Sequence, residues 1–340
     1  FFQAEDGIRD VERSRGLGDG YKRQRFVASI FLLLFMAWIL VSKDITSVQT
    51  QIIQVKSGAS MGVVAQDLSE KKLIKSKLFF TSLSRLLSAN KKLKSGYYEL
   101  KPNTSVFEFI EKISRGDVLK TKITLVEGKT IKYYFNQLKN DPSLTKTGSF
   151  DQVMNSIGVK EPYDGWFYPE TYIFNYGESV ENVLKRSHLA MKIKISEMWE
   201  KRDRSIPLTS PYQAIILASL IENETALDYE KPLISSVFIA RLNLNMRLQT
   251  DPTVIYALGD AYSSPLTRSD LKIDHPYNTY RNKGLPPGAI SSAGQASLYA
   301  ALHPAKENDL YFVSKKDGSH AFAPNYEKHK ENIKKYLNNN

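Results

Sequence analysis

The chain has 340 residues, 42 % of them hydrophobic and 24 % charged, and its 47 Lys and Arg against 36 Asp and Glu give a net charge of +11. That composition is ordinary for folded protein, and the length is enough for two or three domains of ~100–200 residues. With no cysteine in the chain, thiol nucleophiles, disulfides and cysteine-based zinc sites are excluded.

Phe1 to Gln24 opens without Met and has no clear apolar period. It resembles a translated sequencing-adapter read-through and is expected to be foreign to the fold. Its run Gly16-Leu17-Gly18-Asp19-Gly20 is therefore not read as a phosphate loop. Phe26 to Val41 follows, sixteen residues with Ser29 as the one polar side chain, flanked by Arg25 and Lys43. At 1.5 Å per residue it spans roughly 24 Å, a little short of a ~30 Å hydrocarbon core. Snorkelling of the flanking cations would close the gap. A cleaved signal peptide and a buried soluble helix are the alternatives, but no small-residue cleavage site follows Val41, which favours an uncleaved single-pass anchor. Basic residues before the span place the N-terminus in the cytoplasm and residues 45–340 outside a bacterial cytoplasmic membrane. The positive charge there suits anionic wall polymer or lipid headgroups rather than nucleic acid, and an ordinary solvated surface explains it equally well.

Gln51 to Lys56 alternates as a strand, and Ser60 is placed to N-cap a helix carrying Val63, Val64 and Leu68. A second amphipathic helix is predicted from Ser76 to Leu87, and a strand from Gly96 to Leu100 before Lys101-Pro102-Asn103. A helix from Asn103 or Thr104 through Ser114 follows, then a strand over Lys120 to Val126, Glu127-Gly128, and a helix over Ile131 to Leu138. Pro142 to Gly148 reads as a loop and Gln152 to Ile157 as a short helix. Glu178 to Arg202 is a long charged amphipathic helix, read as a bridge from the small N-terminal module to the C-terminal half of the chain. Leu310 to Val313 and His320 to Phe322 flank Asp317-Gly318 as a hairpin, and a Lys-rich helix runs from Tyr326 to Leu337. Helices and strands mix without a strict βαβ rhythm, so the class is α+β. The expected division is residues 1–24 read-through, 25–44 anchor, 45–120 small module and 121–340 catalytic domain.

Ser210-Pro211 is a helix start, with Ser as N-cap and Pro at the first helical position. From Ala214 to Ile221 Ser219 is the one polar residue, so the helix is buried on most sides, and it runs into Glu222 and Glu224. Glu222 continues the stripe of Ile215 and Ala218, whereas Glu224 lies about 200° further round with Leu217 and Leu220. A carboxyl at the end of an apolar helix is desolvated and tends to keep its proton, as a general acid must. A helix emerging into water with hydrated glutamates satisfies the same pattern. The five histidines (188, 275, 303, 320 and 329) show no metal-ligand spacing, and no metal or cofactor is expected.

Ala218-Ser219-Leu220-Ile221-Glu222-Asn223-Glu224-Thr225-Ala226 resembles the signature of the MltG (YceG-like) endolytic murein transglycosylase family. The likeness continues through Met246 to Tyr256, Pro276 to Tyr280, Gly284 to Ile290, Gly165 to Tyr172, and the hairpin segment Leu310 to Val313 with Gly318 and His320. It covers the chain from about residue 25 to the end. Three positions depart from it: Asn223 stands where Lys is usual, Ser292-Ala293 where a proline precedes Gly294, and Lys330 where Asn follows His329.

The resemblance implies a membrane-anchored lytic transglycosylase that cuts peptidoglycan glycan strands between N-acetylmuramic acid and N-acetylglucosamine. Glu222 would protonate the leaving oxygen and then, as carboxylate, deprotonate the muramoyl 6-hydroxyl, which closes a 1,6-anhydro end. An internal nucleophile removes the need for the second carboxylate of common glycosidases. Glu224, Gln249, Asp251, Asn278 and Tyr280 are candidates for holding sugar or orienting Glu222. Each also has a structural reading: Asp251-Pro252 as the cap of a helix over Thr253–Leu258, and Tyr277, Asn278 and Tyr280 as a turn with packed rings. Residues 45–120 resemble a LysM glycan-binding module through Val55 to Ser60. Cell-wall synthesis proteins are the expected partners in wall assembly and remodelling. A hydrolytic muramidase and a non-catalytic wall-binding division scaffold are the competing functions.

Overall fold

A computed structural model describes residues 23–39, 44, 45, 47, 49–89 and 92–337. The predicted read-through segment therefore lies almost wholly outside the described residues. The chain divides into two compact units, Phe1–Lys120 and Thr121–Asn340.

In the first unit, α1 covers residues 23–39; Phe26, Phe31 and Leu33 are each two-thirds exposed, while Trp38 and Ile39 at its end pack against the unit's core. No helix among the described residues is long and apolar enough to cross a membrane. Leu40 and Val41, the end of the predicted span, fall outside the described residues. Next come β1 (Gln51–Val55), α2 (Met61–Glu70), α3 (Lys77–Leu86), β2 (Gly96–Leu100) and α4 (Val106–Arg115). The two strands pair antiparallel, from Gln51 opposite Leu100 to Val55 opposite Gly96. Their inward residues Ile53, Val55, Tyr98 and Leu100 meet Leu68, Phe80, Phe109 and Ile110 in one core. Ser60, Ser76 and Ser105 cap the three helices through their hydroxyls, which satisfies amide groups that the first turn leaves without partners.

The second unit begins with β3 (Lys120–Thr124), whose first residue belongs to the preceding unit, α5 (Ile131–Lys139), β4 (Leu144–Thr145), α6 (Phe150–Ile157), β5 (Thr171–Asn175) and β6 (Glu178–Ser179). Five helices follow: α7 (Val180–Glu200), α8 (Pro211–Glu224), α9 (Lys231–Asn243), α10 (Asp251–Leu258) and α11 (Gln295–Leu302). The hairpin β7 (Tyr311–Ser314) and β8 (His320–Ala323) and helix α12 (Tyr326–Tyr336) complete it. Strand β3 pairs with β5, β4 with β6 in parallel, and β7 with β8 antiparallel, so the class is α+β with two-stranded sheets among the described residues.

Three readings change. The predicted loop 142–148 contains β4, a two-residue strand. Thr250, not Asp251, holds the N-cap position of α10, and Asp251 lies in its first turn. Helix α7, read as a bridge, lies wholly within the second unit. Val180, Val183 and Leu184 enter one core of the second unit, and Met191 and Ile195 enter another. Its apolar stripe is used twice along its length, which is why its charge pattern alone resembled an exposed connector.

Candidate active site

Helix α8 is buried from Ala214 through Ile221, packed against α9 and α11. Ser210 caps it, accepting from Gln213 N, and Pro211 opens its first turn. Ser219, the polar residue of the run, donates to Ile216 O at 2.7 Å and accepts from Ile290 N at 3.1 Å. That bond ties the helix to the 289–294 segment, the other wall of the site. Asn223 strengthens the tie, donating from Nδ2 to Ser219 O at 2.8 Å and to Ser291 Oγ at 2.7 Å.

Glu222 leaves the end of this helix with its side chain 8 % exposed. One carboxylate oxygen stands 3.5 Å from Lys231 Nζ, and the other accepts from Gly294 N at 2.9 Å. Lys231 is itself 3 % exposed and pairs at 3.0 Å with Asp228, one turn earlier. Burial alone would lower the Lys231 ammonium, but Asp228 and Glu222 outweigh it and hold it above its ordinary value, hence charged.

Glu127 comes to the same place from the β3–α5 loop. Gly128, in the left-handed region at φ +73°, turns that loop over Glu222 and Asn223, and its N–H donates to Ser292 O at 2.9 Å. Ser292 N returns a bond to Lys129 O at 2.9 Å. The Glu127 carboxyl then rests on Gly294, where an added Cβ would come within 1.7 Å of Oε1. Desolvation first, and then repulsion from Glu222, push Glu127 above the usual carboxylate range. Three carboxyls thus surround one buried ammonium. Beside Gly128 and Asn223 opens a cavity of about 820 Å³, lined also by Tyr133, Tyr256, His275 and Tyr277. Tyr256 donates to the buried Asp164 at 2.7 Å, whose other oxygen accepts from Ile131 N at 2.7 Å and so holds the start of α5.

Of the other sequence-derived candidates, Asp251 and Tyr280 lie near Glu224. Thr250 Oγ1 donates to Glu224 Oε1, and Tyr280 OH donates to Asp251. The residue Glu224 is partly buried by area, but its carboxyl end is packed among these groups. Desolvation pushes it up to about 7, against the bond from Thr250. Asn278 is fully buried, and its amide donates to Leu271 O at 3.1 Å and Ile273 O at 2.8 Å while its oxygen accepts from Tyr280 N at 2.9 Å. Its hydrogen-bonding capacity is spent on shaping the 271–280 turn. Gln249 is exposed, sits at φ +52°, and donates its backbone N–H to Thr279 O at 3.2 Å. Lys330, far along the chain, places Nζ 5.1 Å from the centre of the Tyr326 ring.

Sequence reasoning singled out neither Lys231 nor Glu127. One signal was available for Lys231: a lone cation leading an apolar run, three residues after an aspartate. For Glu127 there was none beyond its turn with Gly128.

Fold and site together define a mixed α+β protein with a cleft lined by Gly128 and Asn223, next to a glutamate held between a buried cation and a backbone amide. Within that class the chain belongs to the YceG-like family, which matches residues 53–335. It is similar to the endolytic murein transglycosylase of Bacillus subtilis (strain 168), with 32 % identity covering 87 % of each chain. The endolytic murein transglycosylase of Streptococcus pneumoniae serotype 2 (strain D39) is 25 % identical over 87 % of this chain and 60 % of its own length. Among solved structures, a yceG-like protein from Listeria monocytogenes superposes with a TM-score of 0.51 and 29 % identity, covering 84 % of this chain and 99 % of that one.

Proposed function

We propose that this protein is an endolytic lytic transglycosylase that cleaves peptidoglycan glycan strands between N-acetylmuramic acid and N-acetylglucosamine, with Glu222 as its acid and base. The observation that carries this reading is Glu222 itself: a nearly buried carboxyl at the end of an apolar helix, pinned at both oxygens and set beside a cavity of about 820 Å³. A pinned carboxyl meets a glycosidic oxygen in one orientation, which is what a proton transfer over hydrogen-bond distance requires. Glu222 gives its proton to the leaving N-acetylglucosamine oxygen as the glycosidic bond breaks. The resulting carboxylate, facing Lys231 and the Gly294 amide, takes the proton of the muramoyl 6-hydroxyl as that oxygen bonds to the anomeric carbon. The names of the relatives at 32 % and 25 % identity support this activity.

Under the same reading, α1 is the described part of a single-pass anchor in the cytoplasmic membrane, and the rest of the chain acts on its outer side. The exposed side chains of Phe26, Phe31, Leu32, Leu33 and Leu34 support this. The β1-α2-α3-β2 unit serves as a LysM-like glycan-binding module, and the protein as a whole works with wall-synthesis proteins as partners.

The test is digestion of isolated glycan strands by the full chain in detergent, with mass spectrometry of the new ends. Anhydro-muramoyl ends are expected. Ends heavier by one water would make the protein a muramidase, and intact strands would leave it a binding protein. Deleting residues 26–41 is expected to release the chain from the membrane fraction; retention there would refute the anchor.

A further inference from the structure

The cluster that holds Glu222 carries more charge than a fixed hydrogen-bond donor set requires. Lys231 approaches one Glu222 oxygen at 3.5 Å from α9, with Asp228 at 3.0 Å behind it. From the opposite wall Glu127 lies over Gly294, whose N–H is bonded to the second Glu222 oxygen. The ionisable phenols near the cluster are Tyr134 of α5, whose hydroxyl is engaged with Val126 O at 2.6 Å, and Tyr168, which feels the charge of Glu127. Glu224 belongs to the other side of the helix, at Thr250.

We propose that Lys231 and Glu127 are positioning residues of opposite sign, which together set how readily Glu222 releases its proton and takes it back. The inference rests on the reading of Glu222 as the acid and base. A lone glutamate beside a buried ammonium would stay ionised and serve poorly as the initial acid. Asp228, paired with Lys231 at 3.0 Å, and Glu127, on the loop over Gly294, set negative charge against that cation. Lys231 meanwhile favours the carboxylate needed for the second step and keeps it from rotating away. Glu127 is an exposed residue, so screening makes its influence the weaker of the two.

The two side chains are predicted to move the pH–rate profile in opposite directions. In Lys231→Met, removing the buried cation shifts the alkaline limb to higher pH by ~1 unit and lowers kcat ~10–100-fold, with KM within about threefold of the parent. Lys231→Arg restores the limb, because the charge is kept. In Glu127→Gln, removing a negative neighbour shifts the limb to lower pH by roughly 0.3–0.5 unit. Steady-state cleavage of isolated glycan strands by the full-length variants from pH 4 to 9, alongside Glu222→Gln, reads all of this. Opposite shifts, with Glu222→Gln inactive, support the proposal. Unshifted or same-direction profiles with Glu222→Gln inactive overturn it and leave Glu222 as the acid; activity in Glu222→Gln overturns both. Should Lys231→Met fail to fold for want of its buried charge, Glu127→Gln on the exposed loop decides alone: a parental profile refutes the proposal and an acid-shifted limb supports it.

Discussion

Glu222 and Glu224 sit two residues apart at the end of one helix, yet the protein surrounds them with opposite chemistry. Glu222 meets a buried ammonium and a backbone N–H. Glu224 meets a threonine hydroxyl and the repulsion of Asp251, and is pushed up to about 7. The helical turn of about 100° per residue puts the two carboxyls on different sides, so they report to different walls of the domain. The lesson is that burial alone does not make a catalytic acid. Local pattern leads one to expect proton retention in a carboxyl at the end of this apolar helix. At Glu224, away from the α9 cation, desolvation outweighs the bond from Thr250 and pushes the carboxyl up, whereas Glu222 faces Lys231 across 3.5 Å.

The strongest way to break this comparison is to neutralise each glutamate in turn and measure both activity and stability. Glu222→Gln is expected to lower cleavage by at least ~10²–10⁴-fold, the scale of general acid–base help, with the fold retained. Glu224→Gln should cost less than about tenfold in cleavage, because its side chain faces Thr250 rather than the cleft. Equal losses in kcat would erase the distinction.

Stability against pH separates the two groups next. A carboxyl raised from 4.5 to about 7 contributes fully below pH 4.5, where folded and unfolded chains are both protonated. Above 4.5 the unfolded chain ionises first, so that contribution declines and is gone once the pH passes about 7. The parent should therefore lose on the order of 2–3 kcal/mol over this window through Glu224, and Glu224→Gln should remove that slope. Denaturant titrations at pH 4.5, 6 and 8 check it, and identical slopes for parent and variant would refute the assignment.

Thr250→Val sharpens the same point. It keeps the shape and removes the donor to Glu224, so the carboxyl rises further and the decline extends to higher pH. The expected cost near pH 8 is ~1 kcal/mol, with little change at pH 4. A loss independent of pH would mean that the hydroxyl acts through packing. The smallest effect is expected at the far end of the helix. Ser210→Ala removes the cap that accepts from Gln213 N and should cost about 0.5–1 kcal/mol without moving the pH dependence.

Much of this fold could be read residue by residue. Ser60 and Ser210 each cap a helix where a cap was expected, the helix predicted from Ser76 to Leu87 spans Lys77–Leu86, and β2 spans Gly96–Leu100 as its pattern implies. These features depend on neighbours within a few positions. Helices α9 and α11 were not anticipated. Glu230 and Gly294 occupy their N-cap positions without a side-chain cap bond, and both helices are buried on most sides, so no amphipathic stripe marks them.

For the site, the sequence by itself determined the apolar helix, its start at Ser210-Pro211 and the separation of Glu222 from Glu224, because helical geometry places side chains from local spacing. The family motif singled out Glu222. The surroundings of each carboxyl were decided only by the tertiary structure. Lys231 comes from the next helix, Gly294 from a segment some seventy residues on, and Glu127 from a loop almost a hundred residues earlier. Electrostatic environment depends on distance and desolvation in three dimensions, which spacing along a chain does not encode.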